Sequence, residues 1–107
     1  MTEVKHGFNL GFALELIKQF EQELEQISEK RNRQETEICL LRELLQAYDL
    51  ATSTYTPGSW DLLQHLESKM ASTRMALEEK QRELNEYNIR VGLRERELKH
   101  LLNVIKA

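Results

Sequence analysis

The sequence predicts an all-α protein, a long antiparallel helical hairpin in the form of a two-helix coiled coil. Apolar residues recur at alternating intervals of three and four through most of the chain, and heptads of this kind specify long helices that bury one seam against another helix. The pattern is interrupted once, at residues 56–59, which read Thr-Pro-Gly-Ser. One proline and four glycines in 107 residues also agree with a mostly helical chain.

The first helix is predicted over residues 10–51. Residues 1–9 show no periodicity and are interpreted as a flexible N-terminal arm. Asn9 is the candidate N-cap, because its side chain can accept a hydrogen bond from a backbone N–H of the first turn. The seam of this helix occupies heptad positions a and d, which are Leu10, Ala13, Ile17, Phe20, Leu24, Ile27, Arg31, Gln34, Ile38, Leu41, Leu45 and Tyr48.

The turn between the helices is predicted over residues 52–59. Threonine and serine residues at its start are weak helix formers, since their side chains compete for backbone hydrogen bonds. Pro57 then disfavours helical geometry at Thr56, the residue before it. The first helix should therefore end before this segment.

The second helix is predicted over residues 60–106. Ser59 is its candidate N-cap, and Asp61 places a negative charge in the first turn, where the helix dipole favours it. Gly92 lies inside the helix and should cost about 1 kcal/mol relative to alanine, with no compensating contact evident. The seam residues of this helix are Leu63, Leu66, Met70, Thr73, Leu77, Lys80, Leu84, Tyr87, Val91, Arg94, Leu98, Leu101 and Ile105.

One register of the hairpin lets each a position of one helix meet a d position of the other. In this register the residue numbers of opposed pairs add to about 111, so that Ile27 faces Leu84. It also brings Arg31 and Lys80 together beside Gln34, and each base has an acid on its own helix that can neutralise it. These three residues are interpreted as a polar layer that sets the register. The alternative is that an acidic partner inserts between the two bases.

The chain holds more apolar residues than the seam uses, and they gather at the two ends of the hairpin. The open end, where the two termini converge, has Phe8, Phe12, Leu14, Leu16, Leu93, Leu102 and Val104. The turn end has Leu40, Leu44, Leu50, Trp60 and Leu62. Both sets are candidate partner-binding surfaces, because large exposed apolar patches usually mark interfaces. The alternative is that these residues only widen the packing stripe within the chain.

The sequence carries no motif of an enzyme, and neither a cofactor nor a metal site is expected. No two histidines have the i, i+4 spacing that places two imidazoles on one metal, and Cys39 is the single cysteine. A net charge of -3 gives no electrostatic reason to expect nucleic acid or a membrane surface as partner. Because Cys39 cannot form an internal disulfide, an intracellular location is favoured, cytoplasmic rather than nuclear.

These observations predict a non-enzymatic coiled-coil module for protein-protein interaction. It would act as an adaptor, a complex subunit or a small chaperone, and bind partner helices through the apolar ends of the hairpin. Self-association or a foreign partner should complete the two helices into a helical bundle. The alternative function is a structural homodimeric spacer that forms a four-helix bundle.

Overall fold

A computed structural model of the chain describes residues 9–54 and 58–107, and shows two helices and no strand within those ranges. Helix α1 spans Leu10–Ser53 and helix α2 spans Trp60–Lys106. The two helices pack against each other in opposite directions, so the predicted all-α helical hairpin is confirmed. Contacts divide the chain into an open-end unit, formed by residues up to 32 and from 87 onward, and a turn-end unit, formed by residues 33–86.

Both predicted N-caps are present. The side-chain oxygen of Asn9 accepts a hydrogen bond from the Phe12 backbone N–H at 3.2 Å. The hydroxyl of Ser59 accepts one from the Leu62 backbone N–H at 3.2 Å. Each cap satisfies a donor that the first turn of a helix leaves without an intrahelical acceptor. The rest of the predicted arm, and residues 55–57 of the predicted turn, lie outside the described residues.

Helix α1 continues two residues beyond the predicted end at residue 51. The hydroxyl groups of Thr52 and Ser53 donate to backbone carbonyls one turn earlier, on Tyr48 at 3.0 Å and on Asp49 at 2.8 Å. Such back-bonding is compatible with a helical backbone, whereas the prediction required these hydroxyl groups to draw the backbone out of the helix. The same side chains can therefore extend a helix or end it.

The open-end unit contains most of the hydrophobic core. Seven of the nine buried hydrophobic side chains that are described belong to it, namely Ala13, Ile17, Ile27, Tyr87, Leu98, Leu102 and Ile105. They form two clusters, and Phe20 and Leu24 pack against both. Leu98 is fully enclosed, with 0% of its surface exposed. Apart from Leu10, the apolar seam residues of this unit are therefore buried or half-buried.

The turn-end unit buries less. Among its described residues only Ile38 and Leu77 are buried hydrophobic side chains, and Thr73 joins them with its hydroxyl donating to the Lys69 carbonyl at 2.7 Å. The other apolar seam residues here are half-buried; they are Leu41, Leu45, Tyr48, Leu63, Leu66, Met70 and Leu84. The seam of the turn-end unit is therefore only partly covered by its own two helices.

The register of the helices differs from the prediction. In the turn-end unit Glu37 pairs with Lys80, and in the open-end unit Glu23 pairs with Arg94, so the residue numbers of each pair add to 117. Each acid directly precedes a seam residue of α1, so opposed seam positions add to about 118. The predicted register, with sums of about 111, is therefore wrong by seven residues, one heptad. A shift of seven residues leaves every a position opposite a d position, so the apolar ladder alone does not distinguish the two registers.

Gly92 has no packing role in the described structure, since a Cβ atom built on it would meet nothing within 4 Å. We therefore expect Gly92→Ala to raise the free energy of unfolding by about 1 kcal/mol, because alanine restricts the unfolded chain and favours the helix. Urea denaturation followed by circular dichroism measures this change. The exposed Ala76 on the same helix is the matched control, since Ala76→Gly should shift stability in the opposite direction. A loss of stability in Gly92→Ala would contradict the prediction.

Candidate partner-binding surfaces

Arg31 occupies a seam position in the open-end unit, and α2 supplies polar partners for it. Its Nε donates to the Asn88 side-chain oxygen at 2.9 Å, and its Nη1 donates to Glu95 at 2.9 Å. A second guanidinium nitrogen reaches the other Glu95 oxygen at 3.4 Å, so the contact is bidentate. These hydrogen bonds are the main reason why the pKa of Glu95 lies below its usual value. Arg31 is thus neutralised across the helix pair.

Lys80 and Gln34 occupy seam positions in the turn-end unit. The Lys80 ammonium lies 3.0 Å from Glu37 on α1 and 3.6 Å from Glu83 on its own helix. The hydrogen bond to Glu37 is the main cause of the raised pKa of Lys80. The Oε1 of Gln34 is buried and accepts no hydrogen bond from the described residues.

Arg31 and Lys80, which the predicted register set opposite each other, thus each pair with an acid of the opposite helix. Arg94, another base at a seam position, follows the same rule: its Nε lies 2.6 Å from Glu23 on α1, and the pKa of Glu23 is lowered by that hydrogen bond. In the observed register each seam base reaches a carboxylate that flanks the seam of the other helix. The idea that an acidic partner inserts between two repelling bases loses its premise, because the chain supplies the acids itself.

The open-end surface is mostly where the sequence placed it. Five of its seven residues are exposed, namely Phe12, Leu14, Leu16, Leu93 and Val104. Phe8 lies outside the described residues. The prediction that Leu102 lies on this surface is wrong, because it is only 8% exposed and packs in a cluster with Ala13, Ile17 and Ile105. The seam at this end is wide enough to enclose one residue beyond positions a and d.

The turn-end surface is exposed in full. Its five residues, Leu40, Leu44, Leu50, Trp60 and Leu62, all count among the exposed large hydrophobic side chains. Trp60 is 69% exposed although it begins α2, and Leu40 is 65% exposed in the middle of its unit. The two helices of the turn-end unit therefore leave these side chains uncovered.

Helix α1 carries a second apolar ladder in this unit, which we call the outer ladder. It consists of Leu40, Leu44, Ala47 and Ala51, with the same alternating spacing of four and three as the seam. At 100° per residue this ladder lies roughly a third of a turn from the seam ladder that faces α2. Ala47 is exposed and Ala51 half-buried. One helix thus has two faces fit for helix packing, and within the described structure only one is occupied.

Three exposed large hydrophobic residues were not predicted, and one of them is Leu10, a predicted seam residue that is 52% exposed at the start of α1. Met75 and Ile89 are 70% and 81% exposed, and both lie at the heptad position farthest from the seam. An apolar residue at that position is the signal that could have found them, because the outermost face of a hairpin helix normally carries polar side chains. Ile89 lies close to Leu93 along the outer face of α2.

Surface grooves lie along the described helix residues within each unit. In the turn-end unit a groove has Ile38 and Leu84 beside Glu35, Arg42 and Gln81, a mixed rim of charged and amide groups. No group of three or more potential metal ligands is found within residues 9–54 and 58–107. Neither described helix has a stretch long and apolar enough to cross a membrane.

Comparison with models of protein families, with curated protein sequences and with solved structures finds no match for this chain. Evidence about function therefore comes from the exposed surfaces of the chain itself.

Proposed function

We propose that this protein is a non-enzymatic coiled-coil interaction module, which acts as an adaptor, a complex subunit or a small chaperone and binds partner helices through its exposed apolar surfaces. The observation that carries the proposal is the outer ladder of α1. A helix with a second heptad ladder is patterned to pack against two helices, and the hairpin supplies only one of them. A single free cysteine, Cys39, supports the cytoplasm as the compartment.

The exposed leucines give such an interface its free energy. Burying a fully exposed leucine contributes about 1.5 to 3 kcal/mol. Leu40 is 65% exposed and Leu44 is 43% exposed, so burial of the remaining surface of each by a partner would contribute a substantial part of that free energy to binding. Trp60 adds a large aromatic surface in the same unit, and tryptophan is enriched among residues that dominate binding energy. A partner that covers these side chains would also bury more of the half-buried seam of this unit.

Packing within the chain does not account for these residues. If they only widened the stripe between α1 and α2, the two helices would bury them, as happens for Leu102 in the open-end unit. Leu40 and Leu44 instead remain exposed beside a partly buried seam. An external helix is the simplest structure that covers a ladder with heptad spacing.

A structural homodimer that forms a four-helix bundle is the second candidate, and the outer ladder itself favours it. Its large residues precede its small ones, so an antiparallel copy of α1 can set Leu40 against Ala51 and Leu44 against Ala47 of the second chain. Pairing large with small side chains lets two helices interdigitate without voids. A homodimer and an adaptor would use the same ladder and differ in what covers it.

We expect the double substitution Leu40→Glu and Leu44→Glu to weaken association at least tenfold while helix content stays unchanged, because it places charge in a desolvated contact on an exposed face. The measurement is size-exclusion chromatography with light scattering, on purified chain and on native extract that contains it, together with circular dichroism. Met75→Glu is the control, since it makes the same kind of change, with one negative charge in place of two, at an exposed apolar site of the same unit.

The two candidates give different results in that experiment. If the chain is a homodimer, the purified wild-type chain forms dimers, and the dimer fraction rises with protein concentration. If it is an adaptor, it assembles only in the extract. An assembly of unchanged size in the double variant, in both samples, would contradict the proposal that the outer ladder binds a helix.

A further inference from the structure

The outer face of α2 in the open-end unit carries a second kind of surface, which we call the Gly92 strip. It consists of Ile89, Gly92, Leu93, Arg96 and Lys99, which recur at helical spacing along one side of the helix. Ile89 is 81% exposed and Leu93 is 71% exposed. Two branched apolar side chains, one turn apart and nearly free of contacts, are a hydrophobic anchor point on an otherwise polar face.

Gly92 makes the strip accessible to another backbone. A Cβ atom built on it meets no heavy atom within 4 Å, so the helix surface at this point is open. Glycine inside a helix costs stability relative to alanine, and its absent side chain allows a second helix to approach closely. Arg96 leans over this gap, with its Nε donating to the Gly92 carbonyl at the long distance of 3.4 Å.

The strip is positively charged because the bases along it outnumber the acids. Between residues 89 and 99, Glu95 and Glu97 stand against four bases, Arg90, Arg94, Arg96 and Lys99. Glu95 pairs with Arg31, and Glu97 shares the Arg94 guanidinium with Glu23. Arg96, by contrast, has no ion-pair partner within residues 9–54 and 58–107.

Arg90 flanks the strip on the same helix, and Lys99 is the second base within it. Arg90 makes no ion pair with any described carboxylate and lies over the Tyr87 ring at 5.5 Å from its centroid. Lys99 contributes to the lowered pKa of Glu95 and forms no ion pair with the described residues. The charge that this face presents outward is therefore basic.

We propose that the Gly92 strip binds an acidic amphipathic helix of another protein. The apolar side of that helix would pack between Ile89 and Leu93 and cross at Gly92, while its carboxylates would pair with Arg96 and Lys99. Exposed branched side chains at the centre of the strip favour a protein helix over a polyanion, which would need only the bases. The inference rests on the proposed function, and it names a partner class for a surface separate from the outer ladder.

The probe is a fluorescein-labelled peptide with leucine at the a and d heptad positions and glutamate elsewhere. We expect the 107-residue chain to bind it by fluorescence anisotropy, and a matched peptide with lysine in place of glutamate to bind at least tenfold more weakly. Gly92→Gln should weaken binding of the acidic peptide at least tenfold by blocking the close approach. The same substitution should not lower thermal stability, because glutamine is a better helix former than glycine.

A second pair of variants tests the positive charge of the strip separately from the close approach at Gly92. Arg96→Glu with Lys99→Glu should also weaken binding of the acidic peptide at least tenfold, whereas Lys69→Glu with Arg74→Glu should leave it within twofold. The second pair makes the same change of charge on exposed α2 residues of the turn-end unit. Ala76→Gln, a small exposed residue of the same helix, is the control for Gly92→Gln and should leave binding unchanged.

Any of four results with the peptide would overturn the proposal. Three of them are no binding of the acidic peptide, equal binding of the lysine peptide, and unchanged binding of the acidic peptide to Gly92→Gln. The fourth is that heparin displaces the peptide and binds Gly92→Gln as tightly as it binds the wild-type chain. Self-association of the purified chain that Gly92→Gln abolishes would also overturn it, since a second copy would then cover the strip. The double substitution Leu40→Glu and Leu44→Glu, which removes the outer ladder, should not affect binding of the acidic peptide. A failure of the proposal for the Gly92 strip can therefore be told apart from a failure of the proposed function.

Discussion

Leu98→Ala is expected to lower the free energy of unfolding by about 3 kcal/mol. Leu98 is the one described side chain with 0% exposure among the buried hydrophobic residues, and it packs in the cluster formed with Ile27 and Tyr87. Truncating a buried leucine removes its transfer free energy and leaves a cavity, and such changes cost about 2 to 5 kcal/mol. Urea denaturation followed by circular dichroism measures the loss.

The matched control is Leu93→Ala, five residues earlier on the same helix. Leu93 is 71% exposed, so the same truncation there should change stability by less than about 0.5 kcal/mol. Equal losses in the two variants would mean that α2 does not present Leu98 to the core and Leu93 to the outside. The helix would then be rotated relative to the seam described above.

Arg31→Met is expected to lower the free energy of unfolding by about 2 kcal/mol. The side chains of Arg31 and Glu95 are only 26% and 19% exposed, and removing the guanidinium leaves the Glu95 carboxylate without its bidentate donor. Leaving a partly buried charged group unsatisfied costs about 1 to 3 kcal/mol. The added substitution Glu95→Met should recover most of that loss, because both partners are then replaced by apolar side chains.

The control for this experiment is Arg82→Met, which also breaks a contact between arginine and glutamate. Arg82 pairs with Glu79 and Glu86 on its own helix at an exposed site, so its loss should matter much less. If the two arginine variants lose the same stability, or if Glu95→Met fails to rescue Arg31→Met, the coupling between Arg31 and Glu95 is not what stabilises this part of the hairpin.

The same pair should make the stability depend on pH. Hydrogen bonds from Arg31 hold the pKa of Glu95 below its usual value in the folded chain. A carboxyl with a lowered folded pKa contributes stability that is present above its unfolded pKa, about 4.3, and that is lost as the pH falls through the folded value. The difference in stability between wild type and Arg31→Met should therefore shrink between about pH 5 and pH 3. A difference that stays constant over this range would contradict the assignment.

The two helices and their starts follow from the sequence alone. Heptad spacing reports which residues share a face, and an N-cap such as Asn9 or Ser59 acts on the backbone within three residues of itself. These are local properties, so neighbouring residues suffice to determine them. The end of α1 was less predictable, because a hydroxyl group such as that of Thr52 can bond back to its own helix or compete with it, and both are local choices of similar energy.

Which side chains stay uncovered was predicted only in part. The turn-end surface is exposed as expected, since its residues lie off the seam of both helices. Leu102 also lies off the seam, yet it is buried, because burial depends on how closely the opposite helix approaches at that level. The outer position of Ile89 was visible in the heptad pattern, but its exposure is a property of the assembled helix pair.

The sequence by itself determined that the chain forms two long helices, each with an apolar seam, joined near Pro57. The tertiary structure decided the register between them. A heptad ladder matches itself after a shift of seven residues, so the apolar contacts are nearly equivalent in both registers and the polar exceptions select one. In the observed register Arg31 meets Glu95 and Lys80 meets Glu37, whereas the alternative register would set the two bases against each other. Only contacts between residues distant in sequence carry that difference in electrostatic energy.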